Sequence, residues 1–156
     1  ALVHACGLSE KDFVAAMNKK ADELGLLQTD FADPIGLNND NLANVKDVAR
    51  LAQTALNQPD IAGAVTRSAY NFQTVQGQAK KLESTDWLLD GDLPDKLRAV
   101  GGKTGYTDQA GYCFVGRFQD ADKKSVIVAV LDSGGKNERF RQARLLASWA
   151  FNYCQW

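Results

Sequence analysis

Apolar residues near the start of the chain recur at intervals of three and four, which places them on one face of a helix. Residues 1–6 are predicted to end a helix, with Gly7 as its stop. Ser9 is predicted to cap the next helix, with Asp12 at the capping-box position. The apolar face of this second helix continues until Gly25 and comprises Phe13, Ala16, Met17, Ala21 and Leu24.

Turn-forming residues dominate positions 29–41, so an ordered loop is predicted there. A third helix follows, because Asn44 can cap it and Pro59 can end it. Its apolar face is formed by Val45, Val48, Ala49, Leu51, Ala52, Ala55 and Leu56.

The second half of the chain changes to extended segments. Residues 97–104, 111–118 and 125–131 predict three consecutive strands, and their short connections require antiparallel pairing. The last of them is apolar on both faces, which predicts a central strand covered by helices on each side. A final helix is predicted to begin near Asn137. Helices, then an antiparallel sheet, then a closing helix indicate one α+β domain.

Composition narrows the class of protein. The 156 residues are 45% hydrophobic and 24% charged, which fits one globular domain and excludes a disordered chain. Eighteen basic and nineteen acidic side chains give a formal net charge of -1, so no broad nucleic-acid surface is expected. The three cysteines form no CxxC pair and His4 is the single histidine, so a metal site is not expected.

The segment Gly101–Tyr112 carries most of the chemistry. It places Lys103 and Thr104 on a predicted strand between glycines. Glycines let a second backbone approach closely, so an extended peptide can lie along the strand as an added edge. Lys103 would supply charge, Thr104 a hydroxyl donor and the Tyr106 amide a hydrogen bond to an oxyanion. A Lys-Thr-Gly tripeptide also occurs by chance, so alone it is weak evidence.

A larger pattern resembles the low-molecular-mass D-alanyl-D-alanine carboxypeptidases, penicillin-recognising serine peptidases whose third signature is K-T-G. The matching segments are residues 13–25, 31–37, 102–107 and 110–112, together with Arg139–Phe140. The resemblance implies a β-lactamase/transpeptidase-like fold, in which helices flank an antiparallel sheet, incomplete here at the N-terminus. It also implies cleavage of D-Ala-D-Ala stem peptides of peptidoglycan through an acyl-enzyme that β-lactams trap.

The resemblance assigns a role to each matching site residue. Lys103, Thr104 and Gly105 line the substrate strand, and the Tyr106 amide forms the oxyanion hole with the amide of the nucleophile. Lys103 and Tyr106 are thus the catalytic candidates within this chain. Arg139 matches the arginine that holds the terminal carboxylate, a role suited to the two parallel donors of a guanidinium.

The chain departs from the family in its nucleophile. Neither Ser-x-Asn nor Tyr-x-Asn occurs, and Ser-x-x-Lys occurs only as Ser133-Gly134-Gly135-Lys136. Two glycines oppose the helix that would place Ser133 and Lys136 on one face, so this match is interpreted as accidental. We therefore expect residues 1–156 to be the later part of a single penicillin-binding peptidase domain, inactive on its own.

Two alternatives stay open. One is a D,D-endopeptidase of the same family, which cuts cross-links, and the other is a catalytically inactive relative that binds muropeptides. In each case the partners implied are peptidoglycan stem peptides, with β-lactams as inhibitors, and the expected location is extracytoplasmic, in the periplasm or cell envelope. Membrane anchoring through segments outside this chain also stays open.

Overall fold

The protein is described by a computed structural model that covers residues 2–91 and 93–155, apart from the side chains of Leu2 and Asp95. Ala1, placed by the sequence in a helix, and Asp92, placed in a loop, lie outside the described residues. Helices occupy both ends of the chain, and the strands lie between them. The helices are α1 (Leu2–Ala5), α2 (Glu10–Glu23), α3 (Val45–Ala55), α4 (Pro59–Val65) and α5 (Glu138–Tyr153).

The strands form two antiparallel sheets. A hairpin of β1 (Ala69–Gln73) and β2 (Ala79–Glu83) stands apart from a three-stranded sheet in the order β3-β4-β5. The three-stranded sheet is formed by β3 (Arg98–Thr107), β4 (Gly111–Gln119) and β5 (Ser125–Ser133), and a short 3-10 turn at Pro94–Lys96 precedes it. The predicted strands, their pairing and the α+β architecture are confirmed.

Local signals in the sequence set the helix starts as predicted. The Ser9 hydroxyl accepts a hydrogen bond from the Asp12 amide at 3.1 Å, and Asn44 Oδ1 accepts one from the Asp47 amide at 2.7 Å. Each bond satisfies an amide that has no acceptor within its own helix. Gly25 follows α2 with a φ of +68°, the left-handed conformation that glycine adopts without strain.

The predicted end of the third helix was wrong. Helix α3 ends at Ala55, and Pro59 begins α4 instead of terminating the preceding helix. Proline is favoured at the first position of a helix, because its missing N–H would have no partner there. The proline was correctly seen as a boundary, but the helix that follows it was missed.

Strand β5 is covered on both faces, as predicted, but it is not the central strand. Helix α5 packs on the face that carries Val128 and Val130, while α3 packs on the face that carries Ile127. Among the described strands β4 is central and β5 lies at an edge. Apolar residues on both faces of a strand therefore indicate that helices cover both faces. They do not indicate how many strands pair with that strand in the sheet.

The main core lies between α5 and the sheet. Phe114 and Phe118 of β4 are 1% and 0% exposed, and Phe140 of α5 packs edge-on against Phe114 with ring centroids 5.3 Å apart. Ala143 and Ala147 of α5 are fully buried in the same cluster. Their small side chains let the helix approach the sheet closely. The first turns of α5 therefore pack tightly against β4.

The loop between α2 and α3 is ordered, as predicted, and side-chain hydrogen bonds to its backbone hold it in place. Asp33 accepts hydrogen bonds from four successive backbone amides, those of residues 35–38. Asn18 of α2 pairs with both the N–H and the C=O of Phe31, at 2.7 and 2.9 Å. These contacts fix the loop to the helical layer.

Candidate active site

Strand β3 has a free edge. It pairs with β4 on one side, and no described strand pairs with its other side. The register shifts between Ala99 and Gly102, and Gly101 within this irregularity has a φ of +120°, which favours glycine. The strand that carries the predicted site is thus irregular just before Lys103, and no described strand covers its outer edge.

The three glycines of β3 have different roles. A Cβ at Gly102 would lie 2.8 Å from the Val115 carbonyl oxygen and 2.9 Å from Asp86 Oδ2, so packing within the chain requires glycine there. A Cβ at Gly105 would meet only the Cβ of Cys113, at 3.7 Å. Internal packing therefore accounts for the glycine at 102, and making room for a peptide stays a prediction for Gly105.

An open groove of about 720 Å³ runs beside β3, between α4 and the β1–β2 hairpin. Lys103 and Thr104 line it, and so do the neighbouring residues Ser84–Asp86. Lys103 is exposed, donates from Nζ to the Thr104 carbonyl at 2.5 Å and forms no ion pair with any described carboxylate. It therefore presents an ammonium without an ion-pair partner to a groove that Asp60, Glu83 and Arg67 also line.

Thr104 has a partner that the sequence did not indicate. Its Oγ1 lies 2.6 Å from Oγ1 of Thr85, so one hydroxyl donates to the other across the groove. Thr85 lies 19 positions earlier, and no motif includes it. The contact forms because the segment after β2 folds back against β3, which only the tertiary structure decides.

Tyr106 is 51% exposed, and its ring packs against Tyr112 of β4 with centroids 4.3 Å apart. Its hydroxyl donates to Asp108 Oδ1 at 2.7 Å. This hydrogen bond, helped by the charge of Asp108, raises the pKa of the Tyr106 phenol above its ordinary 10.0. The phenol O–H is thus occupied by Asp108, which leaves the backbone N–H as the donor of Tyr106 that can serve an oxyanion.

Arg139 lies against β3, but not in the groove. Its side chain is 3% exposed, and Nη1 donates to the carbonyl oxygens of Gly105 at 3.1 Å and Cys113 at 3.3 Å. Its guanidinium lies 4.7 Å from the centre of the Phe140 ring. Burial lowers the pKa of Arg139, while the charges of Cys113, Tyr112 and Asp86 oppose the change. The sequence placed Arg139 beside the substrate strand but did not indicate its burial.

Asp86 is a second residue that the sequence did not indicate. It is 5% exposed, and its Oδ1 accepts from the Leu88 amide at 3.0 Å while Oδ2 has no hydrogen-bond donor. Burial raises the pKa of this carboxyl, although the Leu88 amide and the charge of Arg139 oppose the shift. A buried carboxyl thus lies directly behind Gly102.

The remaining serine-lysine match is not a nucleophile site. Ser133 is the last residue of β5 and 4% exposed, while Lys136 lies over the Trp87 ring, 4.6 Å from its centre. The two side chains therefore do not share a helical face. Over residues 2–91 and 93–155, no group of three His, Cys, Asp or Glu side chains is placed to bind a metal ion. No helix within those ranges is long and apolar enough to cross a bilayer.

Comparison with known proteins decides the family. The family model described as D-alanyl-D-alanine carboxypeptidase matches residues 1–135. The chain belongs to this family. It is 35% identical over 115 residues to a D-alanyl-D-alanine endopeptidase of Haemophilus influenzae, covering 74% of this chain and 38% of that protein. It is 31% identical over 147 residues to the D-alanyl-D-alanine carboxypeptidase DacF of Bacillus subtilis, covering 92% of this chain and 36% of that protein.

Solved structures share the fold. A Streptomyces DD-transpeptidase superposes with a TM-score of 0.79 at 30% identity, covering 91% of this chain and 55% of that one. A penicillin-binding protein of Listeria monocytogenes in its ampicillin-bound form gives a TM-score of 0.75 at 34% identity, covering 90% and 56%. The predicted transpeptidase-like fold is confirmed. The chain spans little more than a third of these curated relatives and about half of the solved chains.

Proposed function

We propose that this chain forms the substrate-strand part of a serine-type D-alanyl-D-alanine carboxypeptidase that acts on peptidoglycan stem peptides. One observation carries the proposal: the ammonium of Lys103, which has no ion-pair partner among the described residues, and the hydroxyl of Thr104 line an open groove on a strand at the edge of the described sheet. The family membership of the chain supports the same reaction.

The groove suits an extended peptide that ends in a carboxylate. Such a peptide can pair with the free backbone edge of β3 through main-chain hydrogen bonds. Lys103 attracts its negative charge, and the hydroxyl of Thr104, oriented by Thr85, donates a hydrogen bond to it. Arg139, the expected carboxylate ligand, adds a second positive charge behind Gly105. Because that charge is buried, it acts more strongly than an exposed one at the same distance.

The reaction is an acyl transfer. In the family a serine oxygen bonds to the penultimate carbonyl carbon, and its proton passes to the lysine of Ser-x-x-Lys. The carbonyl carbon–nitrogen bond then breaks, and the D-alanine nitrogen leaves with a proton. Water finally adds to the acyl carbon, which releases the serine and the shortened peptide. In this proposal Lys103 is catalytic through its charge, and the Tyr106 N–H stabilises the oxyanion of each tetrahedral intermediate.

The proposal includes the nucleophile and the cellular setting. The proposed serine is none of the serines of residues 1–156, and β-lactams acylate that same serine. Peptidoglycan lies outside the cytoplasmic membrane, so the protein acts in the periplasm or cell envelope. Neither a metal nor a cofactor takes part in this reaction.

Release of D-alanine from a stem pentapeptide by the full-length gene product tests the proposal. Lys103→Ala should slow release at least tenfold and leave the thermal transition unchanged, because an exposed lysine contributes little to stability. Lys80→Ala is the control, since Lys80 is exposed on β2 and has the same charge. If Lys103→Ala loses its thermal transition while the folded remainder acts normally, Lys103 is structural.

An endopeptidase is the second candidate, because the relative that is 35% identical to this chain is named an endopeptidase. Cleavage of a cross-linked muropeptide dimer, compared with release of terminal D-alanine by the same preparation, separates the two activities. If the preparation catalyses neither reaction but still binds muropeptide, the protein is the catalytically inactive relative. The 156-residue chain itself should stay unlabelled by a fluorescent penicillin. Labelling at Ser133 would overturn the placement of the nucleophile outside this chain.

A further inference from the structure

The buried guanidinium of Arg139 binds a particular peptide group. Its Nη1 donates to the carbonyl oxygen of Gly105, and that carbonyl and the N–H of Tyr106 belong to the same planar peptide unit. Arg139 thus binds the C=O of the peptide unit whose N–H is the proposed oxyanion donor. A hydrogen bond to the Gly105 carbonyl therefore affects the orientation and donor strength of the Tyr106 N–H.

The side from which the Arg139 guanidinium contacts the Gly105 carbonyl shows where the Tyr106 N–H points. The same nitrogen donates to Cys113 of β4, and α5, which carries Arg139, packs on β4 and β5. The guanidinium therefore contacts the Gly105 carbonyl from the β4 side of β3. In a trans peptide the C=O and N–H point in opposite directions, so the Tyr106 N–H points away from β4, toward the free edge.

We infer that Arg139 is a positioning residue for the oxyanion hole, which fixes and polarises the peptide unit between Gly105 and Tyr106. This role rests on the proposed function and differs from contact with the substrate carboxylate. A charged donor on a carbonyl oxygen draws electrons from the amide nitrogen and makes its N–H a stronger donor. It also limits rotation of the peptide plane, so that the N–H is aimed before the substrate binds.

The surroundings of Arg139 fit this role. A 3% exposed guanidinium whose Nε has no acceptor is costly to bury, so its bonds to two main-chain carbonyls must offset that cost. Those carbonyls belong to Gly105 and Cys113, a pair in register across β3 and β4. Arg139 thus also holds the two strands together at the position where the substrate strand would be added.

Acylation kinetics of the full-length gene product separate positioning from carboxylate binding. The two substrates are an N-acyl-D-Ala-D-Ala peptide and the same peptide with its carboxylate amidated. Arg139→Leu should slow the amidated substrate by a factor of about 10², because an oxyanion donor that is misaimed loses much of its effect. It should slow the free-carboxylate substrate by at least that factor, because this substrate also loses the attraction of the buried charge. Arg141→Leu is the control, since Arg141 lies on the same helix and pairs only with Glu138. Slowing of the free-carboxylate substrate alone would overturn the inference.

The Tyr106 amide gives a second readout that does not depend on activity. In full-length gene product labelled with 15N-tyrosine, the Tyr106 resonance is assigned by its loss in Tyr106→Phe. Arg139→Leu should move its amide proton upfield and speed its exchange with solvent, and Arg139→Lys, which keeps one charged donor, should do so less. An unmoved Tyr106 resonance in a folded variant would overturn the inference. An unreactive wild type would instead overturn the proposed function, and the resonance would still decide the role of Arg139.

Discussion

Replacing Gly102 with alanine would place a methyl group where the structure has no room for one. The new Cβ would lie 2.8 Å from the carbonyl oxygen of Val115, 2.9 Å from Asp86 Oδ2 and 2.9 Å from Phe114 Cε2. Each of these distances is well inside van der Waals contact. Asp86 and Phe114 are 5% and 1% exposed, so neither side chain can move into solvent.

The expected loss of folding stability depends on which atoms the new Cβ displaces. The Val115 oxygen belongs to β4, which is paired with β3 on one side and β5 on the other, so the sheet itself must shift. Overpacking of this kind costs about 1–3 kcal/mol. Because one neighbour is backbone and two are buried, Gly102→Ala should fall near 3 kcal/mol. For a chain of this size that lowers the Tm by roughly 6–12 °C.

Urea unfolding followed by far-ultraviolet circular dichroism measures the change, with Gly105→Ala as the matched control. Gly105 lies in the same strand, has an ordinary φ, and its new Cβ would meet only Cys113 at 3.7 Å. Alanine there should leave stability unchanged or raise it by up to about 1 kcal/mol, because it restricts the unfolded chain. Equal urea midpoints for the two variants would refute the assignment of Gly102 to internal packing and Gly105 to the open edge.

Three further predictions concern stability. Burial raises the pKa of Asp86, so protonation of this carboxyl favours the folded state, and the stability of the wild type should fall as the pH rises from 3.8 through the raised pKa. Asp86→Asn should therefore be at least as stable as the wild type at pH 7. This advantage of the variant should be lost near pH 3. A variant clearly less stable at pH 7 would contradict this. Burial opposes ionisation of Asp33, but backbone and side-chain hydrogen bonds outweigh it and lower the pKa to about 2. Asp33→Asn should therefore be less stable than wild type at pH 7, with the difference shrinking as the pH falls from 3.8 to about 2; a gap independent of pH would refute the linkage. Asn18→Ala leaves the N–H and C=O of Phe31 without their partner and should cost about 1–3 kcal/mol in thermal unfolding, whereas an unchanged midpoint would show that other contacts hold the loop.

The candidate site was only partly predictable from sequence. Lys103 and Thr104 were found because a strand bounded by glycines, with a cation and a hydroxyl side by side, is a local pattern. Thr85 and Asp86 were missed because their roles depend on the segment after β2 folding against β3. Arg139 was placed beside the strand by resemblance, but nothing local to the sequence showed that its guanidinium would be buried behind Gly105.

The sequence by itself determined the features that depend on neighbouring residues. Ser9 and Asn44 cap their helices because a side-chain oxygen three positions before an amide can reach it, whatever the rest of the chain does. Extended apolar segments joined by short connections likewise specified three antiparallel strands. The tertiary structure alone decided that, among the described strands, β4 is central and β3 lies at an edge. It also decided that Arg139 binds the carbonyl of Gly105. These features are the order of the strands and a contact between residues 34 positions apart. Their energy depends on tertiary packing, which a local sequence pattern does not specify.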